Sequence, residues 1–241
     1  MTPNTRTVKV ALVGMGRMGR ALDTLSVERG CEIVARLDVA EMTAGITRDH
    51  LNGAEVAIEF TTPHTALDNA AALLAVGCPV VIGTTGWNAE ASRLEALVAQ
   101  HRCAALWSPN FSLGVQLFLA IAEDAARRLA TTTGFDVHVV ETHHTAKKDA
   151  PSGTGIAIAQ RIEAGLGQEV PISSIRVGSV PGTHDVILDA AFEQIVLRHE
   201  ARDRRVFADG ALAAARWLAG QSTAHVFTMR DVLQGAPSQE T

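Results

Sequence analysis

The sequence predicts an α/β protein in which a doubly wound parallel sheet is joined to a second α+β domain with an open mixed sheet. The first half alternates short apolar runs with longer helical patterns, which is typical of parallel sheets covered by helices. These runs are hydrophobic at consecutive positions, as strands buried on both faces are. From about Phe111 the alternation gives way to a long helix and closely spaced strand patterns, which indicates a second domain.

Five strands are predicted in the first half. Their ranges are VKVALVG (8–14), EIVARLD (32–38), EVAIEFT (55–61), PVVIGTT (79–85) and CAALWSP (103–109). A helix is expected after Arg17, and another has Asn88 as its candidate N-cap. Between them, Thr62 and Pro63 are expected to open a helix that ends near Gly77.

The second half opens with an apolar helix at about 112–130, which leads into the strand FDVHVVETHH (135–144). Another helix is expected to begin near Ser152. Three strand candidates with short turns follow and fit antiparallel pairing. They are IRVGSV (175–180), HDVILD (184–189) and EQIVLRHEA (193–201). A last helical segment (208–220) and a short strand (225–229) are expected to return to the first domain.

The first strand ends in GMGRMG, which places Gly14, Gly16 and Gly19 in the G-x-G-x-x-G spacing and opens a helix. Glycines there let the backbone approach a pyrophosphate, which the N–H groups of the helix start bind. Asp38 ends the second strand, where a carboxylate accepts hydrogen bonds from the adenosine ribose. The alternative is a structural turn followed by a surface aspartate. The agreement of the pieces favours a Rossmann-type fold that binds NADH or NADPH.

Asp38 also bears on the choice of cofactor, because its carboxylate repels a 2′-phosphate and the next residue is Val39, not an arginine. NADH is therefore favoured over NADPH, although Arg36 shares that side of the strand and could still reach a phosphate. The loops from Thr61 to Pro63 and at 83–86 follow the third and fourth strands, so we expect them to border the nicotinamide. As ordinary turns they would need no such role.

Residues 141–155, ETHHTAKKDAPSGTG, concentrate titratable and hydrogen-bonding side chains. His143 and His144 end a strand and point to opposite faces, so at most one is expected to face a ligand. Lys147 adds a positive charge, and a helix start near Ser152 offers N–H groups and hydroxyls to an anion. The pattern indicates a carboxylate site beside a proton donor.

Two other interpretations of this stretch stay open. One is an exposed, solvated loop between a strand and a helix. The other is a metal site in which the two histidines act with Glu141 and Asp149. Adjacent histidines on a strand diverge and two lysines repel a cation, so no metal is expected. The isolated cysteines Cys31, Cys78 and Cys103 are expected to fill the core instead of binding zinc or forming disulfides.

Charge and composition exclude several classes of protein. The chain has 26 acidic and 21 basic residues, so no general attraction to nucleic acid is expected. Apolar runs such as AALLAV (71–76) fall short of the roughly 18 residues that span a bilayer. No secretory signal is expected at the N-terminus, and a cytoplasmic location follows. The chain has no tyrosine, which excludes mechanisms that use a tyrosine hydroxyl as general acid.

Segments along nearly the whole chain resemble the dihydrodipicolinate reductase family, also called 4-hydroxy-tetrahydrodipicolinate reductases. They are GMGRMG, EFTTP, GTTGW, SPNFSLGV, ETHHTAKKDAPSGTG, VGSVPGTHDV, FADGALAAARWLAG and MRDVL. The HH-x-x-K-x-DAPSGT core is highly specific. The resemblance implies that NAD(P)H reduces 4-hydroxy-tetrahydrodipicolinate, a small cyclic dicarboxylate, to tetrahydrodipicolinate in lysine and diaminopimelate biosynthesis. It also implies a homotetramer assembled through the sheets of the second domain.

The resemblance further implies a dinucleotide-binding domain at 1–112 and 207–241 and a substrate-binding and oligomerisation domain at 113–206. His143 matches the family's proton donor, and Lys147 matches its second catalytic residue. The matched substrate-binding positions are His144, Ser152, Gly153 and Thr154. The matched cofactor-contacting positions are Gly14, Met15, Gly16, Arg17, Met18, Gly19, Asp38, Gly83, Thr84, Thr85, Ser108, Asn110 and Phe111. The phosphate loop is one residue shorter than the common family pattern.

The expected mechanism is hydride transfer from the nicotinamide to the ring, with loss of the 4-hydroxyl as water and a proton from His143. A rival interpretation is an NADH-binding, redox-sensing regulator without catalysis, which has no use for the basic cluster at 141–155. Another is a dehydrogenase that acts on a semialdehyde. Such an enzyme would use a reactive cysteine, and none of the three cysteines lies near 141–155.

Overall fold

The computed structural model describes residues 6–235 and divides the chain into two compact units. The first unit takes in the chain up to Ser112 and from Arg205 onward, and the second is Leu113–Arg204. Residues 1–5 and 236–241, which the sequence assigns to the dinucleotide-binding domain, lie outside the described part. Within residues 6–235, no helix is long and apolar enough to cross a membrane.

The first unit contains a parallel sheet. Within residues 6–235 its strands are β1 (Val8–Val13), β2 (Cys31–Leu37), β3 (Val56–Glu59), β4 (Val80–Ile82), β5 (Ala105–Trp107) and β10 (Val226–Phe227). The strand order is β10-β5-β4-β3-β1-β2, and every pairing is parallel. Each position of β3 and β4 is buried, as the consecutive apolar residues predict. The prediction of a doubly wound parallel sheet is confirmed.

Helices pack on this sheet. They are α1 (Arg17–Leu25), α2 (Val39–Ala44), α3 (Ala66–Ala75), α4 (Ala91–His101), α7 (Arg205–Leu218) and α8 (Met229–Gln234). Two predicted helix starts were wrong. The helix expected at Thr62 and Pro63 begins at Ala66, because the Thr62 carbonyl accepts the N–H groups of residues 65 and 66 in a turn. Asn88 starts a short 3-10 helix, and α4 begins only at Ala91.

The second unit contains α5 (Leu113–Leu129), β6 (Phe135–His143), α6 (Gly153–Leu166), β7 (Ile172–Arg176), β8 (Thr183–Ala190) and β9 (Glu193–Glu200). Its sheet has the order β7-β6-β8-β9. The expected antiparallel pairing holds for β8 with β9, but β7 pairs parallel with β6. A parallel pairing follows because α6 carries the chain back to the start of the sheet as a crossover helix. The sheet is therefore mixed, as predicted.

Helices α5 and α6 cover one face of this mixed sheet. Along β6, buried and partly exposed positions alternate, because successive side chains of a strand point to opposite faces. The buried positions are Val137, Val139, Glu141 and His143. Two apolar side chains of this face are thus followed by a carboxylate and an imidazole. The helix-covered face of β6 therefore carries two buried titratable groups, Glu141 and His143.

Candidate active site

The glycine loop of the first unit is shaped for close backbone approach. Gly14 has a φ of 93°, and a Cβ there would lie 2.2 Å from the carbonyl oxygen of Phe60. A Cβ on Gly19 would lie 2.2 Å from the Gly14 carbonyl oxygen. A Cβ on Gly16 would meet nothing within 4 Å, so open space lies in front of this residue. Side chains are thus excluded at two glycines by the protein itself, and the third leaves room for a ligand.

Gly16 is also the N-cap of α1, and no side chain of the cap bonds to the helix start. Met15 and Arg20 close the loop from the other side, because the Arg20 guanidinium donates to the Met15 carbonyl at 3.0 Å. A helix start without a side-chain cap presents N–H groups to an anion. The residues present therefore fit the pyrophosphate of a dinucleotide.

Asp38 lies exposed at the end of β2 and caps α2, a short helix that the sequence did not predict. Its backbone N–H donates to the Glu41 carboxylate at 2.9 Å. Arg36, which the sequence left able to reach a phosphate, is bound to Asp23 on α1 by two hydrogen bonds of 2.9 and 2.6 Å. Val39, the residue after Asp38, is largely exposed.

The remaining predicted cofactor positions follow β3, β4 and β5, so they lie at the same edge of the parallel sheet. The Thr61 N–H donates to the Thr84 hydroxyl at 2.7 Å, which links two of these loops. Gly83 lets the Phe60 ring lie close, since a Cβ there would be 2.0 Å from a ring carbon. The Phe60 and Phe111 rings meet edge to face with centroids 6.0 Å apart.

Two further loop residues after β5 are joined by their own hydrogen bonds. The Ser108 hydroxyl donates to the Asn110 carbonyl at 2.8 Å, and the Asn110 side-chain oxygen accepts the Ser112 N–H at 2.9 Å. Thr85 is exposed beside the buried Thr84. The loops that the sequence assigned to the cofactor are therefore ordered by contacts within the first unit.

Glu59, at the end of β3, is fully buried, and sequence reasoning missed it. Burial raises the pKa of this carboxyl, and hydrogen bonding with Thr61, Thr84 and Asn69 opposes the shift only in part. Within residues 6–235, its Oε2 atom has no hydrogen-bond partner. In the described part of the chain, none of the groups that shift its pKa is a cation, so we expect Glu59 to keep its proton to higher pH than an exposed glutamate does.

In the second unit, β6 presents Glu141 and His143 side by side on its buried face. Glu141 has no exposed surface, and His143 is only 8% exposed. The Nδ1 atom of His143 is hydrogen-bonded to Oε2 of Glu141. Burial lowers the pKa of His143, and Lys147 and Arg176 lower it further, whereas Glu141 opposes them. The imidazole is therefore held in one orientation by a carboxylate.

The other oxygen of Glu141 accepts from Arg176 Nη2 at 2.6 Å and from the Ser152 N–H at 3.3 Å. Burial would raise the pKa of Glu141, but hydrogen bonds from Arg176, Ser174 and His143 outweigh it and lower the pKa to about 2. Glu141 is thus an ionised carboxylate inside the unit, with a cation on one oxygen and an imidazole on the other.

The predicted substrate-binding positions surround the start of α6. Ser152 is its N-cap, and its hydroxyl accepts the Gly155 N–H at 3.0 Å. A Cβ on Gly153 would meet nothing within 4 Å, so the first residue of the helix faces open space. Thr154 and His144 are partly exposed. The Lys147 ammonium lies 2.8 Å from the Asp149 carboxylate.

A further buried histidine, His184, extends this cluster, although no role was assigned to it from the sequence. His184, directly opposite Glu141 on β8, stacks edge to face on His143 with ring centroids 5.2 Å apart. Burial lowers the pKa of His184 to about 4, and the charges of His143 and His199 add to this effect. Within the described part of the chain, neither ring nitrogen of His184 has a hydrogen-bond partner. It is therefore a neutral ring at physiological pH.

The structure thus brings His143 together with Glu141, Arg176 and His184, and it places Lys147 close enough to act on the charge of His143. Glu141 entered the sequence interpretation only as a possible metal ligand. Among residues 6–235, no group of three or more His, Cys, Asp or Glu side chains is placed to hold a metal ion. The three cysteines are buried, as expected of residues that fill the core.

Comparisons with known proteins match both units to the same family. Residues 8–111 match the family model described as dihydrodipicolinate reductase, N-terminus, and residues 114–233 match the corresponding C-terminus model. A 4-hydroxy-tetrahydrodipicolinate reductase of Christiangramia forsetii is 34% identical over 94% of this chain and 98% of its own length. The Methanoculleus marisnigri enzyme of the same name is 35% identical over 94% of this chain and 99% of its own.

A solved structure described as dipicolinate bound dihydrodipicolinate reductase from Paenisporosarcina sp. TG-14 has the same fold. It superposes with a TM-score of 0.76 at 22% identity and covers 92% of this chain and 97% of that one. Because family models match most of both units and relatives about one-third identical match nearly their whole length, this chain belongs to the dihydrodipicolinate reductase family.

Proposed function

We propose that this protein reduces 4-hydroxy-tetrahydrodipicolinate to tetrahydrodipicolinate with NADH or NADPH, as a step of lysine and diaminopimelate biosynthesis. The observation that carries this proposal is the buried imidazole of His143, bound to an ionised glutamate and close to the Lys147 ammonium. Such a group combines a proton donor with positive charge for a carboxylate. The names of the relatives, and the dipicolinate described in the Paenisporosarcina structure, support a cyclic dicarboxylate as the substrate.

In this mechanism the 4-hydroxyl leaves as water together with a hydrogen of the ring, and one hydride and one proton enter the ring. The glycine loop from Gly14 to Gly19 would hold the dinucleotide, and its nicotinamide would supply the hydride. His143 holds its transferable proton on Nε2, because Nδ1 is hydrogen-bonded to Glu141. A neighbouring carboxylate stabilises the imidazolium, and burial makes that imidazolium a stronger acid. His143 is therefore suited to give up the proton and to regain it after each turnover.

The substrate carboxylates would be held by Lys147 and by the start of α6. Gly153 leaves open space for an anion at the first turn of that helix, where N–H groups and the helix dipole favour negative charge. Ser152, Thr154 and His144 line the same helix start and the end of β6. Fixing a substrate at two carboxylates orients its ring, and orientation alone can contribute about 7 kcal/mol or more to catalysis.

The test is an assay of NADH and NADPH oxidation with freshly prepared substrate. His143→Gln should lower kcat by about 10²- to 10⁴-fold, because it removes the general acid. Lys147→Ala should also lower kcat sharply, whereas Lys148→Ala, which changes the exposed neighbouring lysine, should not. The dissociation constant for NADH, measured by fluorescence titration, should stay close to wild type in all three variants.

An equal loss of NADH affinity in His143→Gln and Lys147→Ala would reject these roles. Tight NADH binding without any oxidation in the wild-type protein would support the regulator instead. We further propose that NADH is preferred over NADPH. Asp38 is exposed where a 2′-phosphate would lie, Val39 follows it, and Arg36 is bound to Asp23. A lower KM for NADPH than for NADH would contradict this preference.

We propose that the enzyme is a cytoplasmic homotetramer that assembles through the sheets of the second unit. The face of this sheet opposite α5 and α6 carries Ile175, Ile187 and Val196, and Phe192 is fully exposed in the adjoining turn. Exposed apolar residues grouped on one sheet face are typical of an interface. Sedimentation velocity should show a tetramer, and Val196→Glu should dissociate it.

A further inference from the structure

We propose that Glu141 is a positioning residue for His143, and that Arg176 holds Glu141 in the charged form that this role requires. Glu141 does not touch the substrate; it sets which nitrogen of His143 carries the transferable proton. This inference rests on the proposed function, because it takes His143 as the proton donor. It adds two residues, Glu141 and Arg176, that the sequence analysis did not connect with the reaction.

The geometry of β6 places the side chains of Glu141 and His143 next to each other. Residues two apart on a strand share a face, so both side chains point toward α6 and away from the outer side of the sheet. Their contact joins Nδ1 of the imidazole to Oε2 of the carboxylate. A carboxylate can only accept at Nδ1, so the neutral ring carries its proton there and leaves Nε2 as the exchangeable site.

The position of Arg176 follows from the pairing of β7 with β6. The parallel register places Arg176 opposite His143, and its Nη2 atom bonds to Glu141 Oε1 at 2.6 Å. The same Nη2 atom donates to the Asp149 carbonyl at 2.6 Å, so the guanidinium also fixes the chain that leads into α6. The Ser152 N–H adds a second donor to Oε1. Glu141 is thereby tied to β7 and to the start of α6.

The charges around His143 show what Glu141 contributes. Arg176 on β7 and Lys147 after β6 are cations, and His184 on β8 packs against the ring as a neutral group. Burial and the two cations disfavour an imidazolium, and Glu141 is the anion that favours it. Replacing the carboxylate with an amide should therefore make His143 harder to protonate.

The first measurement needs no variant. Wild-type protein with nitrogen-15-labelled histidine is observed by NMR in mildly alkaline buffer, and the loss of one ring signal in His143→Gln assigns the residue. We expect a protonated Nδ1 and an unprotonated Nε2. A ring protonated on Nε2 would overturn the proposal even if no Glu141 variant folds.

The second measurement compares Glu141→Gln with Glu141→Asp and with a matched control. Glu123→Gln is the control, because Glu123 is a mostly buried glutamate of the same unit that pairs with Arg161 away from β6. Glu141→Gln should lower kcat by about 10²- to 10⁴-fold, the range set by general acid–base catalysis and by loss of an imidazole's carboxylate partner in other enzymes. It should also shift the limb of the kcat/KM pH profile that reports His143 to lower pH. Glu141→Asp keeps the charge and should recover part of kcat and the wild-type limb.

The outcomes separate this inference from the proposed function. If His143→Gln keeps wild-type kcat, the proposed function fails at its proton donor. If His143→Gln loses activity while Glu141→Gln keeps the wild-type pH limb and ring tautomer, only the positioning role fails. A loss of kcat in Glu141→Gln with an unshifted limb would mean that Glu141 is merely structural, which also overturns the inference.

Discussion

Within residues 6–235 two glutamates are fully buried, one in each unit, and their pKa values are shifted in opposite directions. Glu59 ends β3 among hydroxyl and amide groups, and burial raises its pKa. Glu141 lies on β6, and hydrogen bonds from Arg176 and His143 overcome the same effect of burial and lower its pKa to about 2. Equal burial therefore does not decide the charge of a carboxyl group. The charge depends on the groups that donate hydrogen bonds to the carboxyl group.

The difference has a functional meaning. The raised pKa of Glu59 favours its protonated form, which can donate a hydrogen bond as well as accept one, as it does from the Thr61 hydroxyl. An ionised Glu141 can only accept, so it forces the proton of His143 onto the shared nitrogen. The first glutamate supports loops, and the second sets the chemistry of a neighbouring ring.

The largest expected effect is a loss of stability on removing Arg176, the cation beside Glu141. Arg176→Met leaves a buried carboxylate without its partner, which should cost about 3–5 kcal/mol of unfolding free energy. Arg198→Met is the matched control, because Arg198 lies on β9 of the same sheet and its guanidinium, which pairs with Asp185, is largely exposed to solvent. Urea unfolding monitored by circular dichroism measures both.

Equal unfolding midpoints for Arg176→Met and Arg198→Met would contradict the contrast between the glutamates. The double variant Arg176→Met with Glu141→Leu sharpens the test. Replacing both members of a buried ion pair with apolar residues is often neutral, so the second change should restore much of the lost stability. If it does not, the cost belongs to the packing of Arg176 and not to the stranded charge.

The next effect is a pH dependence of opposite sign for the two glutamates. Glu141 has a lowered pKa, so its stabilisation is present above the usual carboxyl value and is lost as pH falls toward about 2. This lowering of the Glu141 pKa corresponds to about 3 kcal/mol of unfolding free energy at neutral pH. Glu59 has a raised pKa, so its contribution is greatest at low pH and is lost as pH rises above the usual carboxyl value.

Unfolding free energies of the wild type, Glu141→Gln and Glu59→Gln should therefore be measured across acidic and neutral pH. Glu141→Gln should be much less stable at neutral pH and lose its dependence on pH in the acid range. Glu59→Gln should stay within about 1 kcal/mol of wild type at low pH, where an amide replaces an uncharged carboxyl, and should gain stability relative to wild type as pH rises, because the amide does not ionise. A stability of Glu59→Gln that falls relative to wild type as pH rises would contradict the raised pKa of Glu59.

The same two residues show how far the sequence could lead. The alternation of apolar strands and helices predicted the parallel sheet of the first unit, because strands that are hydrophobic at consecutive positions are buried on both faces. The motif at 141–155 pointed to His143 and Lys147, because all its members lie in one local stretch. Glu59 was read as part of an apolar strand, since no local signal distinguishes a buried acid from an exposed one.

Contacts set by strand pairing lay beyond the sequence. Arg176 reaches Glu141 from 35 residues further along the chain, and it does so only because β7 pairs parallel with β6. The closely spaced strand patterns suggested antiparallel pairing, which would have placed β7 elsewhere. His184 meets His143 through the antiparallel register of β8, which one sequence does not reveal. The local part of the site was predictable, and the part that depends on register was not.

The smallest expected effect concerns Asp149, a carboxylate that has a cation but no burial. Its side chain is 58% exposed and lies 2.8 Å from the Lys147 ammonium, which lowers the pKa of Asp149. Water screens such a pair, so it contributes little to folding, but it competes with a substrate carboxylate for Lys147. Asp149→Asn should therefore lower KM for the dicarboxylate by about twofold and leave kcat unchanged, whereas Asp189→Asn on β8 should change neither. A raised KM in Asp149→Asn would instead show that Asp149 holds Lys147 in place for the substrate. An exposed carboxylate would then position a site residue, as the buried Glu141 is proposed to do.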